Sequence, residues 1–205
     1  MKYLKKIIIL LCFANISFSQ ISNNNRNVYH RYIQMHNQNM NDITRNYIID
    51  KVDYFASKYG VPKSLVFATM RVESNFNMNA KSNANAFGLM QITKVLEKDY
   101  NMDRLNVSNN IEMGVLYLRR CMNQFGITNN TVAAYNRGIN KVRNSGYSNI
   151  RETTNHVKKI QKELNKLNNM LYLNNNFRYN NQNTFKSNSI RFRTDYMKRS
   201  MNIGF

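Results

Sequence analysis

Glu73-Ser74-Asn75-Phe76-Asn77-Met78-Asn79-Ala80-Lys81-Ser82-Asn83-Ala84-Asn85-Ala86-Phe87-Gly88-Leu89-Met90-Gln91-Ile92-Thr93 is the stretch that decides the fold. Just before it, Leu65, Ala68, Thr69 and Val72 recur at three- and four-residue spacing, the buried stripe of a helix. Pro62 suits the first turn of that helix, where a missing N–H costs nothing. Glu73 lies beside the stripe in the final turn. The helix macrodipole is negative there and disfavours a second negative charge. Leu65, Val66 and Phe76 would also strip water from the carboxyl. Both effects favour the protonated acid, the form a proton donor needs. After Glu73 the chain loses bulk through Asn79, Ala80 and Ser82 to Ala86, as a loop does. Gly88 leaves room for a close approach of substrate or backbone before Leu89-Met90-Gln91.

Upstream, Ile43, Tyr47, Ile48, Val52, Phe55 and Tyr59 follow helical spacing from Asp42, and Gly60 is placed to end that helix. Downstream, residues 94–108, with Glu97, Asp99 and Asp103, read as a linking region. Ile111, Val115, Leu118, Met122 and Phe125 then form a second stripe, with Gly114 allowing close packing and Gly126 closing the helix. Ala133-Ala134-Tyr135-Asn136-Arg137-Gly138 reads as a short helix ended by its glycine, with Tyr135 a core aromatic carrying a polar tip. Residues 139–149 look loop-like. Glu152 stands in the first turn of a last helix, a position favoured for a carboxylate, and the helix continues through Val157, Ile160, Leu164 and Leu167.

Four of these segments together resemble the lytic transglycosylase catalytic domain, the soluble type related to goose-type lysozyme. They are Glu73-Ser74, Gly88-Leu89-Met90-Gln91, Ala133 to Gly138, and Glu152-Thr153-Thr154-Asn155-His156-Val157. Asn110-Ile111, Gly114 and Tyr117-Leu118 add to the match, which runs roughly from residue 43 to 165. The resemblance implies an α+β, predominantly helical, lysozyme-like fold. It also implies an enzyme that cleaves the β-1,4 bond between N-acetylmuramic acid and N-acetylglucosamine in peptidoglycan and forms a 1,6-anhydro sugar. Glu73 is implied as the single general acid and base, with the substrate's own N-acetyl group assisting. Ser82 is implied to bind that N-acetyl group, Met90 and Gln91 to reach the cleft, Tyr135 to reach the reaction centre, Asn136 to hold its turn and Glu152 to lie in the cleft. Without the resemblance, Ser82 is equally a turn-capping hydroxyl and Met90 simply core. No metal or organic cofactor is implied.

Two positions depart from the family pattern. Asn85-Ala86 replaces a Gly-Ala pair, a mild change because Asn tolerates left-handed backbone. His156 stands where Tyr is usual, keeping an aromatic face and one hydrogen bond while adding a titratable ring. A hydrolytic lysozyme on the same fold is the nearest alternative and would need a carboxylate such as Asp99, Asp103 or Glu152 to hold water. A non-catalytic wall-binding protein is the other, and the retention of Glu73, Gln91 and Tyr135 argues against it.

The chain has 205 residues, a formal net charge of +19 and a pI near 10.1, which implies an anionic partner or surface. No Arg-rich cluster interleaved with aromatics and no zinc-finger spacing is present, so nucleic acid is not the expected partner. Peptidoglycan strands are, with anionic wall polymers or a secretion or conjugation apparatus as further candidates. Lys2, Lys5 and Lys6, the apolar run from Ile7 to Phe13 and Ser17-Phe18-Ser19 compose a secretory signal over residues 1–19. Its apolar run falls short of the ~20 residues that span a bilayer. The expected protein is therefore exported to the periplasm or cell wall, without a stable membrane anchor, as a monomer. Cys121 falls within a helical pattern and reads as a small buried hydrophobe. Residues 20–41, rich in Asn and Gln, are expected to be flexible, with His30 and His36 at the surface. Residues 42–167 form the lysozyme-like domain, and 168–205 a basic, Asn-rich tail expected to be disordered.

Overall fold

The computed structural model describes residues 25–201, with side chains through residue 176; the expected signal peptide lies outside the described residues. In chain order the helices are α1 (residues 25–36), α2 (Asp42–Tyr59), α3 (Lys63–Ser74), α4 (Lys94–Tyr100), α5 (Val107–Phe125), α6 (Asn129–Arg137), α7 (Ile139–Ser145) and α8 (Arg151–Met201). The described residues divide into two compact units, which part between Asn168 and Asn169. The predominantly helical expectation holds. Its β part reduces, among the described residues, to two isolated antiparallel bridges, Lys81 with Phe87 and Phe87 with Ile92.

Local chemistry sets the helix ends. Asn41 accepts a hydrogen bond from Thr44 N at the start of α2, and Gly60 ends it in the left-handed region at φ 64°. Thr93 and Asn106 cap α4 and α5 in the same way as Asn41 caps α2. Helix α5 is the element against which α2, α4 and α6 pack. Its stripe of Ile111, Val115, Leu118 and Met122 is buried as its spacing requires, and Cys121 is buried with it. Burial pushes the Cys121 thiol up to about 12, so it behaves as an inert hydrophobe. A Cβ on Gly114 would sit 2.6 Å from the Met90 side chain, so the glycine is required by close packing. On α2 the stripe is narrower than its spacing suggests: Ile48, Val52 and Phe55 are buried, whereas Ile43 and Tyr47 are exposed.

Three expectations need correction. Residues 25–36, within the segment expected to be flexible, are helical, and Val28, Tyr29, Tyr32 and Ile33 are buried. Tyr29 stacks on Phe67 with ring centroids 4.4 Å apart, and Tyr32 meets Phe76 edge-on at 5.9 Å. Burying side chains of this size stabilises by about 1.5–3 kcal/mol each, enough to order a segment whose average composition reads as disordered. The tail from residue 168 is helical through Met201. It holds no Pro and, before Gly204, no Gly, the two residues that most disfavour a helix. Residues 139–145, in the stretch expected to be loop-like, form α7, while the linking region over 94–108 contains α4.

His36 is not a surface residue either, its side chain being 10% exposed. Arg71 Nε donates to its Nδ1 at 2.7 Å, and its Nε2 lies 3.5 Å from Glu163 Oε2. Glu163 in turn accepts from the Tyr32 hydroxyl at 2.8 Å. The network ties α1 to α3 and α8. Burial, with Arg71 and Lys166 beside it, lowers the His36 pKa to about 4, with Glu163 opposing. The folded state therefore releases a proton that the unfolded chain keeps between pH 6.5 and 4. Stability from this group is complete above pH 6.5 and falls as pH drops towards 4. Urea unfolding of His36→Gln should give a midpoint that depends less on pH across this window than the wild type's. Equal slopes for the two proteins would show that His36 does not titrate in this way.

Candidate active site

Helix α3 ends at Ser74, and the chain then reverses through two left-handed residues, Asn75 at φ 52° and Phe76 at φ 59°. Asn takes that conformation readily, but a buried phenylalanine there is strained by about 1–3 kcal/mol. The surroundings hold it in place. Tyr32 packs against the Phe76 ring, and Asn37 Nδ2 donates to the Phe76 carbonyl at 3.2 Å. Ser74 Oγ lies 2.9 Å from Leu89 O and 3.1 Å from Met70 O, so its one proton ties the helix end to the loop opposite. Glu73 is thereby fixed at the last turn of α3, its side chain 15% exposed.

The loop between α3 and α4 is folded by Asn110 of α5, which is 1% exposed. Its Oδ1 accepts from Met90 N at 2.9 Å, and its Nδ2 donates to Phe87 O at 2.8 Å and Arg104 O at 3.0 Å. Gly88, at φ 79°, passes directly over that amide, and a Cβ there would fall 2.4 Å from Asn110 Nδ2. Asn85 adopts φ 57°, the left-handed backbone that its replacement of glycine requires. Gln91 Nε2 lies 3.1 Å from both Ala80 O and Gly88 O. With its amide protons so engaged, what Gln91 can offer a ligand is its carbonyl oxygen.

Glu73 opens on a cleft of about 1160 Å³, and Ser82, Gln91, Tyr135, Asn136 and Glu152 line it as well. Met90 does not. Its side chain is fully buried against Gly114, and only its carbonyl serves the site, accepting from the Tyr135 hydroxyl at 2.8 Å. Of the two readings of Met90, core is the one that its burial fits. Ser82 also caps its own turn, with Oγ accepting from Ala86 N at 3.1 Å. Asn136 Oδ1 accepts from Thr153 Oγ1 at 3.0 Å, which ties α6 to the first turn of α8. Burial, and then the nearby Glu73 carboxylate, push the Tyr135 hydroxyl well above its usual range, so it remains a donor.

Among the described residues, the one hydrogen-bond partner of the Glu73 carboxylate is His156 of α8, Nε2 to Oε1 at 2.9 Å. The sequence marks His156 only as a departure from a motif, and nothing in it shows that the ring faces Glu73. Sequence reasoning also missed Arg120, Arg137, Lys141 and Arg143, which line the cleft. Cations scattered over three helices leave no local signal. Of the three acids considered for holding water, Asp99 and Glu152 line the cleft. Asp103 instead accepts from Leu105 N at 2.8 Å within its own turn.

A helical domain with Glu73 at a helix end, beside a broad cleft, has the lysozyme-like architecture that the sequence resemblance implies. Residues 50–158, just over half of the chain, match the family model of the transglycosylase SLT domain, and the chain belongs to that family. It is 32% identical over 163 residues to the membrane-bound lytic murein transglycosylase C of Mannheimia succiniciproducens, covering 68% of this chain and 44% of that one. It is 38% identical over 107 residues to the protein of the same name from Actinobacillus pleuropneumoniae, covering 42% of this chain and 29% of the relative. The chain thus spans less than half the length of these relatives. Among solved structures it shares its fold with the lytic transglycosylase Slt of Pseudomonas aeruginosa, at a TM-score of 0.52 and 23% identity over 60% of this chain and 24% of that one. The 70-kDa soluble lytic transglycosylase of Escherichia coli gives 0.50 and 27%, over 56% and 23%.

The geometry makes Asn110→Ala costly, because Met90 N–H and the Phe87 and Arg104 carbonyls would each lose a buried partner. Urea unfolding should show a loss of about 2–5 kcal/mol. Asn144→Ala on exposed α7 should change stability by less than about 0.5 kcal/mol. Similar small effects for both would mean that Asn110 does not organise the loop.

Proposed function

We propose that this chain is a peptidoglycan lytic transglycosylase, with Glu73 as its single general acid and base. The observation that carries the reading is the setting of Glu73: a carboxylate 15% exposed at the wall of the cleft, hydrogen-bonded to His156 and to no second carboxylate among the described residues. Family membership and the murein transglycosylases among its relatives support the substrate class. In this reading Glu73 gives its proton to the oxygen of the bond between N-acetylmuramic acid and N-acetylglucosamine, and that bond breaks. The muramoyl N-acetyl oxygen stabilises the cation developing at C1, and Ser82, which lines the cleft, holds the acetamido group in this reading. Glu73, now a carboxylate, takes the proton of the muramoyl 6-hydroxyl as O6 bonds to C1. The products are a 1,6-anhydro sugar and a free 4-hydroxyl. Gln91 and Glu152 line the path of the glycan, while Tyr135 and Asn136 hold the cleft floor in shape. Because Met90 is buried, it supports the loop without touching substrate.

A hydrolytic course on the same scaffold is the second reading, favoured by the presence of Asp99 and Glu152 in the cleft, either of which could hold a water. The domain is proposed to act outside the cytoplasm, in the periplasm or cell wall, after export through residues 1–19. Local wall opening during secretion, conjugation or remodelling fits its substrate. Among the described residues no helix is long and apolar enough to cross a membrane.

Incubation with purified peptidoglycan, followed by mass spectrometry of the soluble products, should give anhydro-muropeptides. Glu73→Gln should lower their rate of release by roughly a hundredfold to ten-thousandfold while leaving the unfolding midpoint near wild type. Undiminished release from a folded Glu73→Gln protein would rule out the assignment.

A further inference from the structure

His156 Nε2 lies 2.9 Å from Glu73 Oε1, and the two side chains are 12% and 15% exposed. The other ring nitrogen, Nδ1, is buried and has no hydrogen-bond partner. These two facts constrain where the ring carries its proton. A proton on Nδ1 would make a buried N–H donor with nothing to receive it, which folded proteins avoid more strictly than an unused lone pair. A proton on Nε2 points at a carboxyl oxygen. We propose that His156 keeps its single proton on Nε2 and donates it to Glu73 Oε1, acting as a positioning residue that reserves Oε2 as the oxygen that delivers and recovers the catalytic proton.

The proposal rests on the assignment of Glu73 above and adds to it a division of labour between its two oxygens. When Glu73 is ionised, Nε2–H donates to Oε1. When it is protonated, the proton sits on Oε2, and Oε1, as the carbonyl oxygen, still accepts from Nε2–H. One hydrogen bond therefore survives both states. The proton leaves Oε2 for the glycosidic oxygen, and the proton of the 6-hydroxyl returns to Oε2, so His156 gains and loses none. The opposite tautomer would have Nε2 accept from the Glu73 acid. That would turn the catalytic proton away from the cleft and towards α8. The ring is held for this task by its helix, since Thr153, one turn earlier on α8, is tied to Asn136 of α6 at 3.0 Å.

Nitrogen-15 NMR of the histidine-labelled wild-type chain reads the tautomer directly. The chain has three histidines, and loss of one signal set in His156→Gln assigns the third ring. The expected spectrum shows a bare Nδ1 and a protonated Nε2, with the Nε2 resonance moving in Glu73→Ala. Kinetics on solubilised glycan strands give the functional arm. His156→Phe should lower kcat by at least about tenfold with KM changed by less than about threefold, because the misplaced carboxyl costs turnover and not binding. His156→Gln, which can place an amide N–H near the same oxygen, should recover most of the loss. A proton on Nδ1 with a bare Nε2, or wild-type kcat in His156→Phe, would overturn the proposal. The spectrum needs no turnover, so a wild-type protein inactive on glycan would count against the transglycosylase reading while the tautomer remained decided by NMR.

Discussion

One buried amide organises the site. Asn110 reaches from α5 into the loop between α3 and α4 and bonds Met90 N–H, Phe87 C=O and Arg104 C=O. A loop this polar could not otherwise pass beneath the surface without stranding backbone groups. The arrangement explains two glycines at once. Gly88 must lack a side chain because Asn110 occupies its place, and Gly114 must lack one because Met90, fixed by the same amide, packs there. From this anchor follow the positions of Gln91 on the cleft and of the Met90 carbonyl that receives the Tyr135 hydroxyl.

A second constraint acts at the end of α3. The chain leaves Glu73 through a left-handed asparagine and a left-handed phenylalanine, and the second is held by packing supplied from α1. The His36–Arg71–Glu163 network braces the same region, since Arg71 lies two residues before Glu73 on α3 and Glu163 lies on α8 with His156. A segment whose composition suggests a linker is thus part of the support for the helix that carries Glu73. Strain at Phe76 is tolerated because Tyr32 and His36 of α1 pack on its ring and Asn37 bonds its carbonyl.

The contrast between what could and could not be read in advance has a physical pattern. Glu73, the loop that follows it and the buried stripe of α5 are local features, carried by periodicity and small-residue runs, and they appear where the spacing puts them. Gly60, Gly114 and Asn85 were legible because each answers a backbone or packing demand with few alternatives. What escaped was non-local. The apolar residues of α1 lie among Asn and Gln; they keep four-residue spacing, Val28 with Tyr32 and Tyr29 with Ile33, but the rings they pack on, Phe67 and Phe76, lie far along the chain. The contact of His156 with Glu73 spans 83 residues and leaves no trace in either segment. Met90 failed in the opposite direction, because a motif position was read as a contact when helix packing had already claimed the side chain.

The central claim is that Glu73 serves both proton transfers while the substrate supplies its own nucleophile. Digestion of peptidoglycan in oxygen-18 water tests it most directly. The account predicts soluble muropeptides that end in the anhydro sugar and carry no oxygen-18 at C1. Reducing-end products with oxygen-18 at C1, and no anhydro sugar, would mean that water attacks in place of the muramoyl 6-hydroxyl and would contradict the claim.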